Sequence, residues 1–165
     1  MKIRPYDREK ALIYAHKWAL GRNPQYYDFK NIGGDCTNFA SQTLYAGSGI
    51  MNHTPTYGWY YYNLKNRAPA WAGVEFLYRF LIKNEGPGPA AVETDVSQAE
   101  PGDIVQLSFN KTSFVHSPVI VSVGQPPSVS NILVAAHSYD VDNYPLRNYE
   151  YTNIRFLHIT HVNAW

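Results

Sequence analysis

A Gly-Pro-Gly-Pro run at residues 86–89 divides this chain into two halves of different periodicity, and that division limits the folds open to it. Proline lacks the amide proton that a helix needs and glycine adds backbone freedom, so no regular helix passes through four such residues in succession. Before the run, apolar residues recur at helical spacing. Asp7 caps a predicted helix to about Leu20, with Ala11, Leu12, Ala15, Trp18 and Ala19 on one face and Gly21 at its end. Cys36, Phe39, Ala40, Thr43 and Leu44 mark a second helix that stops near Gly47 or Gly49. A third runs from about Gly73 to Lys83, with Val74, Phe76, Leu77, Phe80 and Leu81 on its inner side; residues 50–72 read as irregular. After the run the pattern is extended: AEPGDIVQLSF (99–109) reads as a turn on Pro101 and Gly102 feeding a strand, followed by SPVIVSV (117–123), NILVAAHS (131–138) and NIRFLHITHV (153–162). Helices first and strands second predict an α+β fold, N-terminal helices packed on an antiparallel sheet. At 165 residues, with no internal repeat or low-complexity tract, the chain is expected to form one domain, 1–165.

The stretch GGDCTNFASQ (33–42) carries the most chemistry, because it puts the only cysteine where a loop turns into a helix. Gly33 and Gly34 allow a tight bend, and Asp35 is of a type that caps helices. A thiol in the first helical turn meets the positive end of the peptide dipoles, and such surroundings can lower a cysteine pKa to roughly 3.5–7.5. On this reading Cys36 is a nucleophile; the plain alternative is a small buried apolar residue. Catalysis also requires a histidine base and a group to orient it.

Composition narrows the classes. Net charge is +1 and the basic residues are scattered without interleaved aromatics, so nucleic acid is not an expected partner. One cysteine forms no internal disulfide and leaves the redox compartment open. MKIRPYDREKALIYAHKW has no apolar signal core, and no stretch approaches the ~20 apolar residues of a membrane span, so the chain reads as soluble. Work outside the cytoplasm would require a leader or flanking domains beyond this chain, or another export route. The cluster Tyr57, Trp59, Tyr60, Tyr61 and Tyr62 offers flat faces suited to a groove for an extended polymer, or equally to core packing.

Six histidines separate by position. His16 falls in the first helix and His53 in the irregular stretch. His158 and His161, three apart on a strand, point to opposite faces, and with one cysteine, no HExxH and no CxxC a metal site is not expected. No cofactor is implied. His116 precedes SPVIVSV and His137 lies near the end of NILVAAHS, so antiparallel pairing predicts the two side by side, one as base for Cys36 and the other holding its ring.

GGDCTNFASQ, PGDIVQL, HSPVIVSV and an apolar strand ending AAHS, in that order, together with YDREKALIYAHKWAL and NPQYYDF upstream, resemble the bacterial family described as "Putative amidase domain" and, more distantly, the NlpC/P60 and CHAP cell-wall hydrolases. The likeness spans nearly the whole chain. It departs from the NlpC/P60 form where Thr37-Asn38-Phe39 follows Asp-Cys in place of Ser-Gly, and where only Tyr26 and Tyr27 stand for the upstream tyrosine motif.

The resemblance implies a papain-like (NlpC/P60-type) fold with Cys36 as nucleophile, His116 as general base and then acid, and His137 in the third polar position, for which Asp140 competes. It implies hydrolysis of amide bonds, by substrate class those of bacterial peptidoglycan or a peptide, through a Cys36 thioester and an oxyanion held partly by the Cys36 amide. It also implies a secreted or wall-associated protein. Tyr26, Asp35, Asn38, Gln42 and Trp59 are candidates to line the site or hold the oxyanion. Two rivals stand beside this reading: a wall-binding module without turnover, and a cysteine protease, deamidase or acyltransferase acting on protein.

Overall fold

The computed structural model describes residues 1–165. In chain order its elements are β1 (Lys2–Arg4), α1 (Arg8–Trp18), α2 (Cys36–Ser48), β2 (Tyr61–Asn63), β3 (Asn66–Arg67), α3 (Pro69–Ala72), α4 (Val74–Lys83), β4 (Gly88–Thr94), β5 (Ile104–Ser108), β6 (Val119–Val123), β7 (Ile132–Ala136), β8 (Val141–Pro145) and β9 (Asn153–Ala164). Seven strands form one sheet in the order β1-β9-β5-β6-β7-β8, with β4 on the other side of β9; β2 and β3 make a separate ribbon. Every pairing is antiparallel. The fold is α+β, as the two periodicities predict. No helix is long and apolar enough to cross a membrane.

Alternation along the strands builds two apolar layers. Ile104, Val119, Val121, Ala135 and Leu157 face the helices and meet Ala11, Ala15, Phe39, Leu44, Leu77 and Leu81. Val105, Leu107, Ile120, Val134 and Phe156 point the other way and are covered by Leu146 and the segment around Tyr144 and Tyr149. Each such side chain, fully buried, contributes roughly 1.5–3 kcal/mol.

The helices follow from local chemistry. The Asp7 carboxylate accepts the Lys10 amide at 3.0 Å and caps α1, whose buried stripe is only Ala11 and Ala15. Small residues let α1 and α2 approach closely: a methyl group added at Gly47 would lie 2.4 Å from Tyr6 Cε1. α2 ends at Gly49 in the left-handed conformation, φ 69°. On α4, Leu77, Phe80 and Leu81 are buried, whereas Phe76, expected inside, is 53% exposed.

Other expectations are corrected. β1 precedes the helices, so the strands are not confined to the second half. β4 begins inside the Gly-Pro-Gly-Pro run, with Gly88 at φ 109°; its Pro89 is tolerated because β4 pairs only with β9 and leaves its other edge free. Residues 50–72 hold the β2–β3 ribbon and α3. The aromatic cluster there divides: Trp59, Tyr60 and Tyr61 are buried, and Tyr57 and Tyr62 are exposed.

Candidate functional site

Two glycines with positive φ, Gly33 at 80° and Gly34 at 97°, turn the chain into α2 and deliver Cys36 to its first position. Asp35 does not cap the helix with its side chain. Its buried carboxylate turns back instead, Oδ1 accepting from the Phe29 amide at 2.8 Å and from Asn38 Nδ2 at 2.9 Å. The loop is pinned from the sheet side by the Ser138 hydroxyl, which accepts the Asp35 amide at 3.2 Å.

Cys36 is 7% exposed. Its sulfur lies 3.7 Å from Thr37 Oγ1 and 3.8 Å from the Val115 carbonyl oxygen, against the backbone on either side of His116. Below it a polar ladder crosses into the sheet: Thr37 Oγ1 is 3.1 Å from Ser117 Oγ, which accepts from Gln106 Nε2 at 3.2 Å. Burial pushes the Cys36 thiol up; the Thr37 hydroxyl and the Ser117 and Thr37 amides oppose that shift, Asp35 adds to it, and burial wins. The expected lowering of the thiol at the helix start is therefore corrected: its shift is upward, with burial the largest cause.

His116 is also 7% exposed, and burial lowers its pKa to about 4, so its ring is neutral at pH 7. Nε2 is 3.4 Å from the Tyr149 hydroxyl, and the two rings meet edge to face at 5.4 Å. Beside them opens a pocket of about 400 Å³ lined by Phe109, Val115, His116, Ser138, Tyr139, Val141, Tyr144 and Tyr149, with no charged side chain among them.

His137 does not hold the His116 ring. Its Nδ1 is 2.5 Å from Asp35 Oδ2, its Nε2 is 2.8 Å from the Trp18 carbonyl oxygen, and its ring stacks on Phe39 at 4.2 Å. Both ring nitrogens are thus engaged within the fold. The reason is register. Val119 pairs with Ala135, and continuing by two residues puts Ser117, not His116, across from His137. An offset of one residue reverses the face: His137 follows Ala135 toward the helices, and His116 follows Ile120 toward Tyr149.

The other candidates are engaged within the fold. Asp140 is held by Arg22, with Nη1 at 2.8 Å and Nη2 at 3.2 Å, and does not touch His116. Trp59 is fully buried and donates to Ser41 Oγ at 3.0 Å. Asn38 donates to the Tyr27 carbonyl at 2.9 Å and accepts from Trp71 Nε1 at 2.9 Å. Gln42 Oε1 accepts from the Tyr14 hydroxyl at 2.5 Å. Tyr26 stacks on Trp71 at 5.8 Å, and burial pushes its phenol up to about 12. These five make structural contacts that residue type alone does not reveal. Sequence reasoning missed Thr37, Ser117 and Tyr149 beside the thiol and the imidazole; small hydroxyls and a tyrosine without periodicity give no signal until the strands are in register.

A family profile described as "Putative amidase domain" matches residues 5–160. The chain is 32% identical over 140 residues to "Uncharacterized protein YhbB" of Bacillus subtilis (strain 168), covering 82% of this chain and 42% of that protein. It is 29% identical over 108 residues to "Uncharacterized protein YjcM" of the same strain, covering 66% of this chain and 24% of that protein. The chain thus spans less than half the length of these curated relatives. No solved structure matches it.

Proposed function

Starting from a chain that belongs to the "Putative amidase domain" family, we propose that it is a cysteine-dependent hydrolase of amide bonds with a papain-like arrangement, acting on bacterial peptidoglycan. The observation that carries this reading is the Cys36 sulfur at the head of α2, 3.8 Å from the carbonyl of the residue preceding His116. Family membership supports amide hydrolysis, and the resemblance to the NlpC/P60 and CHAP cell-wall hydrolases supports the wall as substrate.

The chemistry begins from a neutral pair. The buried thiol keeps its proton, and the neutral imidazole of His116 can accept it. As sulfur bonds to the carbonyl carbon, its proton passes to His116. The carbonyl π pair moves to oxygen, and the Cys36 amide, which at the first position of α2 has no acceptor within the helix, donates to that oxyanion. The tetrahedral adduct collapses, the C–N bond breaks, and His116 returns the proton to the leaving amine. Water, deprotonated by the same imidazole, then adds to the thioester carbonyl; the C–S bond breaks, the acid is released, and His116 returns its proton to the Cys36 sulfur. The general acid–base steps contribute about 10²–10⁴ in rate, and the single oxyanion donor a comparable factor.

Digestion of purified wall fragments by wild type beside Cys36→Ala tests the proposal. Release of new amine termini by wild type alone is the expected result. Equal digests by the two proteins would overturn the hydrolase reading, and cleavage confined to protein substrates would replace the wall with a protein target.

A further inference from the structure

We propose that Tyr149 is the positioning residue for His116: its hydroxyl oxygen accepts the Nε2 proton and so holds the ring in the tautomer whose bare Nδ1 is turned toward Cys36. This deepens the cysteine-hydrolase reading and rests on it. Of the imidazole's two nitrogens only Nε2 has a hydrogen-bond partner in the fold, and that partner is the Tyr149 hydroxyl at 3.4 Å. Nδ1 is the nitrogen bonded to Cγ, nearest the residue's own backbone. The Cys36 sulfur lies against that same backbone, within 3.8 Å of the Val115 carbonyl oxygen. The phenol thus meets the tip of the ring, while the sulfur lies against the backbone at the residue's root, the order in which an orienting group, a base and a nucleophile must follow one another.

The two groups that sequence reasoning assigned to this role are occupied elsewhere, His137 on Asp35 and Trp18 and Asp140 on Arg22. Tyr149 is itself fixed. Its ring packs edge to face on Tyr144 at 5.2 Å and tilts against Phe109 at 6.5 Å, while its amide donates to the Leu146 carbonyl at 3.2 Å. A hydroxyl can donate or accept; the acceptor role assigned to it here is the one that leaves Nδ1 bare for the thiol proton, and it adds no charge beside the base. Burial also raises the Tyr149 phenol above its ordinary range, which keeps the group a phenol throughout the working pH.

Long-range ¹H–¹⁵N spectra of the histidine rings at pH 7 test this, with His116→Gln identifying the His116 signals. In wild type His116 is expected to show a protonated Nε2 and an unprotonated Nδ1. In Tyr149→Phe, which keeps the ring and its packing, the signals should move to a mixture of tautomers, and kcat on wall fragments should fall on the order of tenfold with KM within about twofold. A protonated Nδ1 in wild type, a His116 spectrum that Tyr149→Phe leaves unchanged, or a loss that falls on KM alone would overturn the proposal. The spectrum needs no substrate. Should Cys36→Ala still cleave wall amides, the hydrolase reading falls while the tautomer result stands on its own.

Discussion

Residues 116 and 137 are both buried histidines, yet the groups around them set opposite demands. Nothing near His116 stabilises a charge, and its pKa of about 4 lies below the ordinary 6.5. Between those values the unfolded chain binds a proton that the folded chain refuses, so stability rises with pH across the window and is lost as pH falls from about 6.5 to 4. The full effect is on the order of 3 kcal/mol. Urea midpoints of wild type and His116→Gln, measured from pH 7 to 4, should converge as the solution is acidified, because the variant lacks that proton-binding site. If His116 is the base of the proposed hydrolase, the same value sets the acid limb of kcat/KM: activity should fall as pH drops through about 4, where its ring protonates, and stay level across pH 6–8. His137 instead sits between a carboxylate and a carbonyl, both acceptors. His137→Ala leaves Asp35 Oδ2 with only Arg22 Nε, 3.6 Å away, while Oδ1 keeps the Phe29 amide and Asn38, and should cost on the order of 3 kcal/mol in urea unfolding.

Among the elements, α2 is the one on which the thiol depends, and its seat against α1 is set by a missing side chain. Gly47→Ala pushes a methyl into the Tyr6 ring and the Asp7 carbonyl, 2.4 and 2.9 Å away, and should lower stability by about 1–3 kcal/mol in thermal melts. Helices like this were legible because their apolar spacing, caps and stops agree: α1, α2 and α4 begin and end within a few residues of where Asp7, Gly49 and Lys83 point. Strands β5, β6, β7 and β9 were legible as β-branched runs. β8 was not, since Val141–Pro145 is mixed in polarity and its hairpin turns through Ser138 and Tyr139, both at positive φ, 62° and 65°, without the Asn-Gly or Asp-Gly pair that advertises such a turn. β4 hid behind its own prolines. For the candidate site, residue order placed Cys36 at the head of a helix and His116 before a strand, but not what lies against that histidine: this depends on which face each strand presents, and one residue of register decides it.

At the scale of the whole molecule, buried polar ties lock the helical layer onto the sheet. Asp103, in the turn before β5, accepts from Arg8 Nη1 at 2.8 Å and the Ile159 amide at 2.9 Å through Oδ1, and from the Glu100 amide and His158 Nδ1, each at 2.9 Å, through Oδ2. Asp103→Ala leaves those donors unpaired and should cost on the order of 3–5 kcal/mol, measured as a lowered urea midpoint. Arg155 of β9 plays the matching part on the far side. Its guanidinium lies between Tyr78 and Phe114, 3.6 and 4.0 Å from their ring centroids, and reaches Glu75 at 2.9 Å. Both ties end on β9, and so does much of the sheet, because that strand pairs with β1, β4 and β5 at once. A ribosome must therefore deliver the residues of β9 before this architecture can close. Until residues 153–164 emerge, β5 lacks its central neighbour, and Cys36 waits in an unfinished nascent chain, its burial postponed by topology.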